Sequence, residues 1–129
     1  MTDFSDIYCH YIALLNGKDL TNLHRFVAEE IFYNDEKIGL QNYQKLLEQD
    51  FEDIPDLYYT IDILVSSSSY VASRLTYDCT PKDEFLGLPI NGRKVRFSEN
   101  VFYHFENSKI KKVFSVIDKS AIEKQIKNE

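Results

Sequence analysis

The sequence contains only two cysteines, four glycines and three prolines, and it contains no tryptophan. Cys9 and Cys79 lie far apart and lack CxxC spacing, so they indicate neither a disulfide framework nor a thiolate metal site. We expect both to be buried as small apolar residues. Repeats, linkers and low-complexity segments are absent as well, so residues 1–129 are predicted to form one domain.

Long apolar runs and excess positive charge are also missing. No stretch approaches the roughly 18 residues of a membrane span, and the segment MTDFSDIYCHYIALLNG has acids where a signal peptide would carry lysine or arginine. We therefore expect a cytoplasmic protein that does not contact the membrane. The formal net charge is −6, with 21 acidic and 15 basic residues. This charge repels a polyanion, so nucleic acid is not an expected partner.

Aromatic residues are abundant, with nine tyrosines and nine phenylalanines. Such side chains line ligand pockets, and they equally often fill cores. The three histidines, in contrast, show no pairing and no nearby carboxylate spacing that would form a metal site. They are His10, His24 and His104. We expect neither a metal nor a cofactor.

The first half of the chain shows helical spacing of its apolar residues. FSDIYCHYIALLNG predicts one helix that ends at Asn16-Gly17, and a short second helix follows Asp19. EIFYND predicts a short strand or extended segment. A third helix carries an apolar face before the breaker sequence EDIPD. Its members are Leu40, Tyr43, Leu47 and Phe51.

From Leu57 onward the apolar period changes from 3.6 to 2. The four alternating segments are LYYTIDILV, YVASRLTYDC, RKVRFSENVFYHF and KIKKVFSVID. Their polar or turn-rich links predict an antiparallel meander, and KSAIEKQIKN predicts a short terminal helix. The fold class is therefore α+β. We expect N-terminal helices packed on a strongly curved, mainly antiparallel sheet that forms a cone.

The order of these elements and the segment EFLGLPINGRKVRFSENVFYHFENSKIKKVFSVID resemble the SnoaL-like polyketide cyclase family of the nuclear-transport-factor-two-like superfold. The resemblance covers nearly the whole chain, and the FLGLP and NGR elements form a rigid loop pattern. It implies a cone-shaped cavity and, in many members, a homodimer. It further implies that Asp118 occupies the place of the family's general base.

Asp118 and Glu99 are the candidate catalytic residues. A carboxylate among apolar groups can take a proton from carbon and return it to oxygen. Asp118 fits this role through the resemblance, but an aspartate before a helix is equally suited to be its N-cap. Glu99 lies on the more apolar face of the third long strand, where it needs a partner such as Arg74.

Five further residues are candidates for substrate binding. Asn34 could orient a carbonyl or simply form a turn before Lys37, and the Tyr33 hydroxyl could stabilise an enolate oxygen. The resemblance places Phe114 where the family has a tryptophan. Aromatic walls are expected from Phe97, Tyr103 and Phe114.

Two functions remain open at this point. One is a cofactor-independent enzyme that abstracts a proton next to a carbonyl, with cyclisation, isomerisation or hydration as the outcome. The other is a module of the same fold that binds without catalysis. In either case the expected partner of the protein is a small hydrophobic ligand that contains a carbonyl group. The outer sheet face includes Phe102, which we expect near the centre of a homodimer.

Overall fold

The first half of the chain forms the helical layer and two strands of the sheet. In the computed structural model, which describes residues 3–127, its elements are α1 (Ser5–Asn16), a 3-10 helix (Leu20–Arg25), β1 (Val27–Tyr33), β2 (Glu36–Lys37) and α2 (Gly39–Asp53). Buried residues on α1 follow the spacing that the sequence predicts. They are Tyr8, Tyr11, Ile12 and Leu15.

The second half of the chain forms most of the sheet. Its elements are β3 (Thr60–Ser67), β4 (Tyr70–Cys79), β5 (Glu84–Phe85), β6 (Leu88–Pro89), β7 (Val95–Glu106), β8 (Lys109–Ile117) and α3 (Lys119–Lys127). The six-stranded sheet has the order β2-β1-β8-β7-β4-β3, and β5 pairs only with β6. Strands β3, β4, β7 and β8 form the expected meander. The α+β prediction is therefore confirmed.

Three details of the sheet differ from the simple meander. Strand β1, which follows the 3-10 helix, pairs in parallel with β8 and so extends the sheet beyond the meander. The long link between β4 and β7 contains the small β5-β6 hairpin. Register shifts also interrupt three of the strand pairs. Such irregularities bend strands and increase their twist, which suits a sheet that wraps around helices.

Tight turns in this fold place pairs of residues at positive φ. Leu86 and Gly87, between β5 and β6, have φ values of 54° and 77°. Two consecutive positive φ values are typical of the hairpin turn whose twist matches that of its strands. Gly87 adopts this geometry without the steric cost that a side chain adds.

The core lies between the helices and the inward face of the sheet. Tyr8 on α1 packs on Tyr103 of β7 with ring centroids 4.8 Å apart, and Phe4 stacks on Phe105 at 4.6 Å. Cys79 is buried, as expected, but Cys9 is exposed. The prediction for Cys9 is wrong because this residue falls outside the apolar stripe of α1.

Helix α3 packs against β7 beyond the end of β8. The Gln125 side chain accepts a hydrogen bond from the Arg96 backbone N–H at 2.8 Å and donates one to the Arg96 carbonyl at 2.5 Å. Its amide thus replaces a strand partner for β7. Within residues 3–127, no helix is both long and apolar enough to cross a membrane.

Candidate functional site

A cavity of about 260 Å³ lies between α2, the inward face of the sheet and the β5-β6 hairpin. Six tyrosines and two carboxylates are among its lining residues: Tyr11, Tyr33, Tyr43, Tyr59, Tyr77, Tyr103, Asp50 and Glu99. Most of the remaining wall is aliphatic or phenylalanine. Leu46 and Leu86 are the exposed apolar lining residues, so they mark the opening. A mainly apolar hollow with few polar groups is the usual form of a small-molecule site.

Glu99 on β7 is the carboxylate that points into this cavity from the sheet. The Tyr77 hydroxyl donates a hydrogen bond to Glu99 Oε1 at 2.5 Å, and the Ser115 hydroxyl donates one to Oε2. Each carboxylate oxygen keeps a further lone pair that can accept a proton or another hydrogen bond. Charge-assisted bonds of this kind fix the orientation of a carboxylate.

The partners of Glu99 follow from strand register. Glu99 is opposite Leu75 on β4 and Ile117 on β8, and its two partners are each two residues away on those strands. These diagonal neighbours come within reach because Glu and Tyr side chains are long. The prediction that Arg74 partners Glu99 is wrong. Arg74 is opposite Asn100, whose side chain faces outward, and it pairs with Asp62 instead.

Asn34 fixes the β8 segment that carries Ser115. The backbone N–H of Ser115 donates to Asn34 Oδ1 at 2.8 Å, and the Asn34 N–H donates to the Val113 carbonyl at 2.8 Å. The asparagine side chain therefore extends the parallel pairing of β1 with β8 by one step. Its φ of 47° is typical of the turn between β1 and β2. This geometry favours the turn interpretation over contact with a substrate.

The tyrosine hydroxyls divide into paired and free groups. Tyr11 and Tyr43 share a buried hydrogen bond at 2.7 Å, and Tyr77 binds Glu99. The Tyr59 hydroxyl has no hydrogen-bond partner among residues 3–127, although Tyr59 is only 7% exposed. Desolvation, followed by the charge of Asp50, raises the pKa of Tyr59 well above its ordinary value. Tyr59 is thus a protonated donor available to a ligand.

Asp50 is the second carboxylate of the cavity. It lies on α2, one helical turn from both Leu47 and Ile54, which also line the cavity. The residue as a whole is exposed to solvent, yet protein atoms crowd its carboxyl group. This desolvation, followed by the charges of Glu99 and Asp53, raises the pKa of Asp50 to about 7. Asp50 therefore changes its charge near neutral pH.

This shift predicts that Asp50→Asn stabilises the protein at high pH. The folded pKa lies above the value near 4 of an unfolded aspartate, so the wild type loses stability as pH rises from about 4 to about 7. Because solvent screens a part-exposed group, we expect a gain of about 1 kcal/mol at about pH 8. Urea unfolding at about pH 4 and pH 8 measures it. Glu48→Gln on the same helix is the control, and a gain independent of pH would contradict the assignment.

Comparisons with known proteins agree with this architecture. A family model described as SnoaL-like polyketide cyclase matches residues 5–126. A crystal structure of a SnoaL-like polyketide cyclase from Agrobacterium tumefaciens is 47% identical, with a TM-score of 0.95 and coverage of 98% of this chain and 99% of that one. The chain belongs to the SnoaL-like polyketide cyclase family.

More distant structures share the fold. Wild-type IdmH from Streptomyces antibioticus has a TM-score of 0.82 at 18% identity, covering 95% of this chain and 97% of that one. AclR from Streptomyces galilaeus has a TM-score of 0.78 at 20% identity, covering 98% and 96% respectively. None of the curated proteins compared matches this chain. At these identities, the two Streptomyces structures support the fold of this SnoaL-like protein and nothing finer.

The structure of this SnoaL-like protein brings four of the predicted site residues together. They are Glu99, Tyr33, Tyr103 and Phe97, which all line the cavity. Asp118 does not line it. This aspartate is exposed. Its Oδ1 accepts a hydrogen bond from the Ala121 backbone N–H at 3.1 Å, so Asp118 is the N-cap of α3. Phe114 lies opposite Phe102 and outside the cavity.

Sequence reasoning missed Asp50, Tyr59, Tyr77 and Ser115. Asp50 did leave a signal, since a carboxylate three residues after Leu47 and four before Ile54 interrupts an apolar helix stripe. No local pattern marks Ser115 or Tyr77, because their role depends on cross-strand register. Within residues 3–127, no group of three or more His, Cys, Asp or Glu side chains is arranged to hold a metal.

Proposed function

We propose that this SnoaL-like protein is a cofactor-independent enzyme that removes a proton from carbon next to a carbonyl, with Glu99 as the proton acceptor. The observation that carries the proposal is the Glu99 carboxylate, held by the Tyr77 and Ser115 hydroxyls in a cavity with aromatic walls. The mainly apolar walls offer few groups that could hold water in competition with a substrate for the carboxylate.

The proposed step moves one proton and one electron pair. The substrate C–H proton passes to a Glu99 oxygen, and the C–H electrons delocalise onto the carbonyl oxygen to form an enolate. The Tyr59 and Tyr33 hydroxyls would donate hydrogen bonds to the enolate oxygen, because both tyrosines line the cavity and stay protonated. Return of the proton to another atom gives isomerisation, and attack of the enolate carbon on a second carbonyl gives cyclisation.

The role of Asp118 as a base stays an untested prediction. Its position at the start of α3 favours Glu99 instead, because a base must reach the substrate proton within hydrogen-bond distance or through one water. We assign to Asp118 the stabilisation of α3 as an N-cap. Replacement of a capping aspartate by asparagine preserves this function.

The test uses a simple carbon acid. β-Tetralone, a bicyclic ketone with acidic hydrogens beside its carbonyl, is incubated with the wild-type protein in deuterium oxide, and mass spectrometry follows deuterium incorporation. We expect incorporation faster than in buffer with an equal concentration of free glutamate. β-Tetralone that binds without accelerated exchange would instead support the binding module of the same fold.

We also propose that the outer face of the sheet forms a homodimer. Phe102 is 55% exposed and lies beside Ala72 of β4 and Phe114 of β8, while Val65 of β3 lies beside Ala72. These residues make an apolar row across four strands. Val116, at 71% exposure, lies beside the row. Exposed apolar patches often mark protein–protein interfaces.

Phe102→Glu is predicted to dissociate this dimer, because it would bury an unpaired charge at the two-fold interface. Size-exclusion chromatography with light scattering at micromolar concentration should give a dimer for the wild type and a monomer for the variant. Leu46→Glu is the matched control, since it makes the same kind of change on α2, away from the outer face. A monomeric wild type, or a variant that stays dimeric, would contradict the proposed interface.

A further inference from the structure

Asp50 is a cavity carboxylate that the proposed reaction does not use. It lines the same hollow as Glu99 but comes from α2, and no salt bridge or side-chain hydrogen bond holds it among residues 3–127. Its exposure places it at the opening rather than at the buried end. A carboxylate in this position is free to meet a ligand group that enters.

The charges of the cavity are unbalanced. Its lining residues include two carboxylates and, among residues 3–127, no lysine, arginine or histidine. The whole chain also carries a net charge of −6. An apolar hollow disfavours two negative charges that lack a cation. Protonation of Asp50 relieves this imbalance, because desolvation, followed by the charge of Glu99, raises the pKa of Asp50 to about 7.

We propose that the natural ligand carries an organic ammonium group, which pairs with Asp50 at the opening while its apolar body and carbonyl group extend toward Glu99. The inference rests on the proposed function in taking this cavity as the substrate site. It narrows the substrate class to small amines with an apolar or aromatic body. The same charges disfavour carboxylic acids and phosphates as ligands.

Two other features of the cavity point to such a ligand. Tyr59 is more than nine-tenths buried and lines the cavity, and its hydroxyl has no partner among residues 3–127. The aromatic side chains also provide faces on which an ammonium group is stabilised, as in aromatic cages for organic cations. A volume of about 260 Å³ suits one or two fused rings with short substituents.

The ionisable groups around Asp50 determine how binding of a cation should depend on pH. Glu99 faces it from β7, Asp53 lies on its own helix, and Tyr33 and Tyr59 face it from β1 and from the segment before β3. The two tyrosines stay neutral at physiological pH. A cation that binds near Asp50 therefore displaces its proton, so binding should release protons to the buffer at about pH 6.5.

The experiment compares three naphthalene ligands of similar shape by isothermal titration calorimetry: naphthylmethylamine, naphthalenemethanol and naphthoate. At about pH 8 we expect the wild type to bind the amine about tenfold more tightly than the alcohol, and the acid most weakly. Asp50→Asn should remove most of the preference for the amine and leave the affinity for the alcohol unchanged. At about pH 6.5, titrations in buffers of different ionisation enthalpy should detect proton release with the wild type only.

Glu48→Gln is the matched control, because it removes one negative charge from an exposed position on the same helix. Equal affinities for amine and alcohol, or equal losses in Asp50→Asn and Glu48→Gln, would overturn the proposal. So would a preference for the amine that only Glu99→Gln abolishes. A wild type that selects the amine but fails to exchange β-tetralone refutes the proposed reaction alone, and one that exchanges β-tetralone without selecting the amine refutes only the ammonium site.

Discussion

Glu99→Gln is expected to reduce deuterium exchange into β-tetralone by a factor of about 10² to 10⁴, because the amide cannot accept the substrate proton. Glutamine keeps the size of glutamate and one acceptor oxygen, so the variant should fold and retain the ligand site. Exchange is followed by mass spectrometry, and circular dichroism checks the fold. Binding of β-tetralone should change far less than the rate.

Asp118→Asn is the control for this result. It changes the other predicted base to its amide while preserving the N-cap of α3 through the side-chain oxygen. We expect its exchange rate to equal that of the wild type. If Glu99→Gln kept full activity and Asp118→Asn lost activity, the base would be Asp118, the residue that the family resemblance indicates.

Ile110→Ala is expected to have the largest effect on stability. Ile110 on β8 is fully buried, lies between Val27 of β1 and Phe105 of β7, and donates its backbone N–H to the Phe26 carbonyl at 2.8 Å. Truncation leaves a cavity in the core where β8 lies between β1 and β7. The expected loss is about 2–5 kcal/mol of unfolding free energy, a large part of the ~5–15 kcal/mol that stabilises a typical domain.

Urea unfolding measures this loss, and Leu46→Ala is its control. Leu46 is 46% exposed, so its truncation removes little buried surface and should cost well under 2 kcal/mol. A similar cost for both variants would show that the packing of β8 between β1 and β7 does not dominate the core.

Much of the fold could be predicted because its elements carry strong local patterns. The alternation in β7 separates the side that carries Phe97, Glu99 and Tyr103 from the side that carries Phe102, and the structure shows the same division. The parallel contact between β1 and β8 could not be predicted in this way. The alternation of side chains in the seven-residue strand β1 predicts which residues face the core, but it does not predict which strand pairs with β1.

The candidate site could likewise be predicted only in part from the sequence. Glu99 could be found because it is a charged residue on an apolar strand face, but its partners Tyr77 and Ser115 depend on a register that links three strands. Asp118 was ambiguous for a different reason. A carboxylate at a strand end can enter a cavity or cap the next helix, and the direction that the chain takes after Ile117 decides between them.

The crystal structure of a complex with β-naphthol tests most directly whether the cavity of Glu99 is the active site. β-Naphthol is a flat, stable analogue of the enol that β-tetralone forms. We expect its rings to lie among the cavity tyrosines, its hydroxyl to form a hydrogen bond with Tyr59 or Tyr33, and Glu99 to face the adjacent ring carbon. β-Naphthol bound against Asp118, with the Glu99 cavity unfilled, would contradict this account.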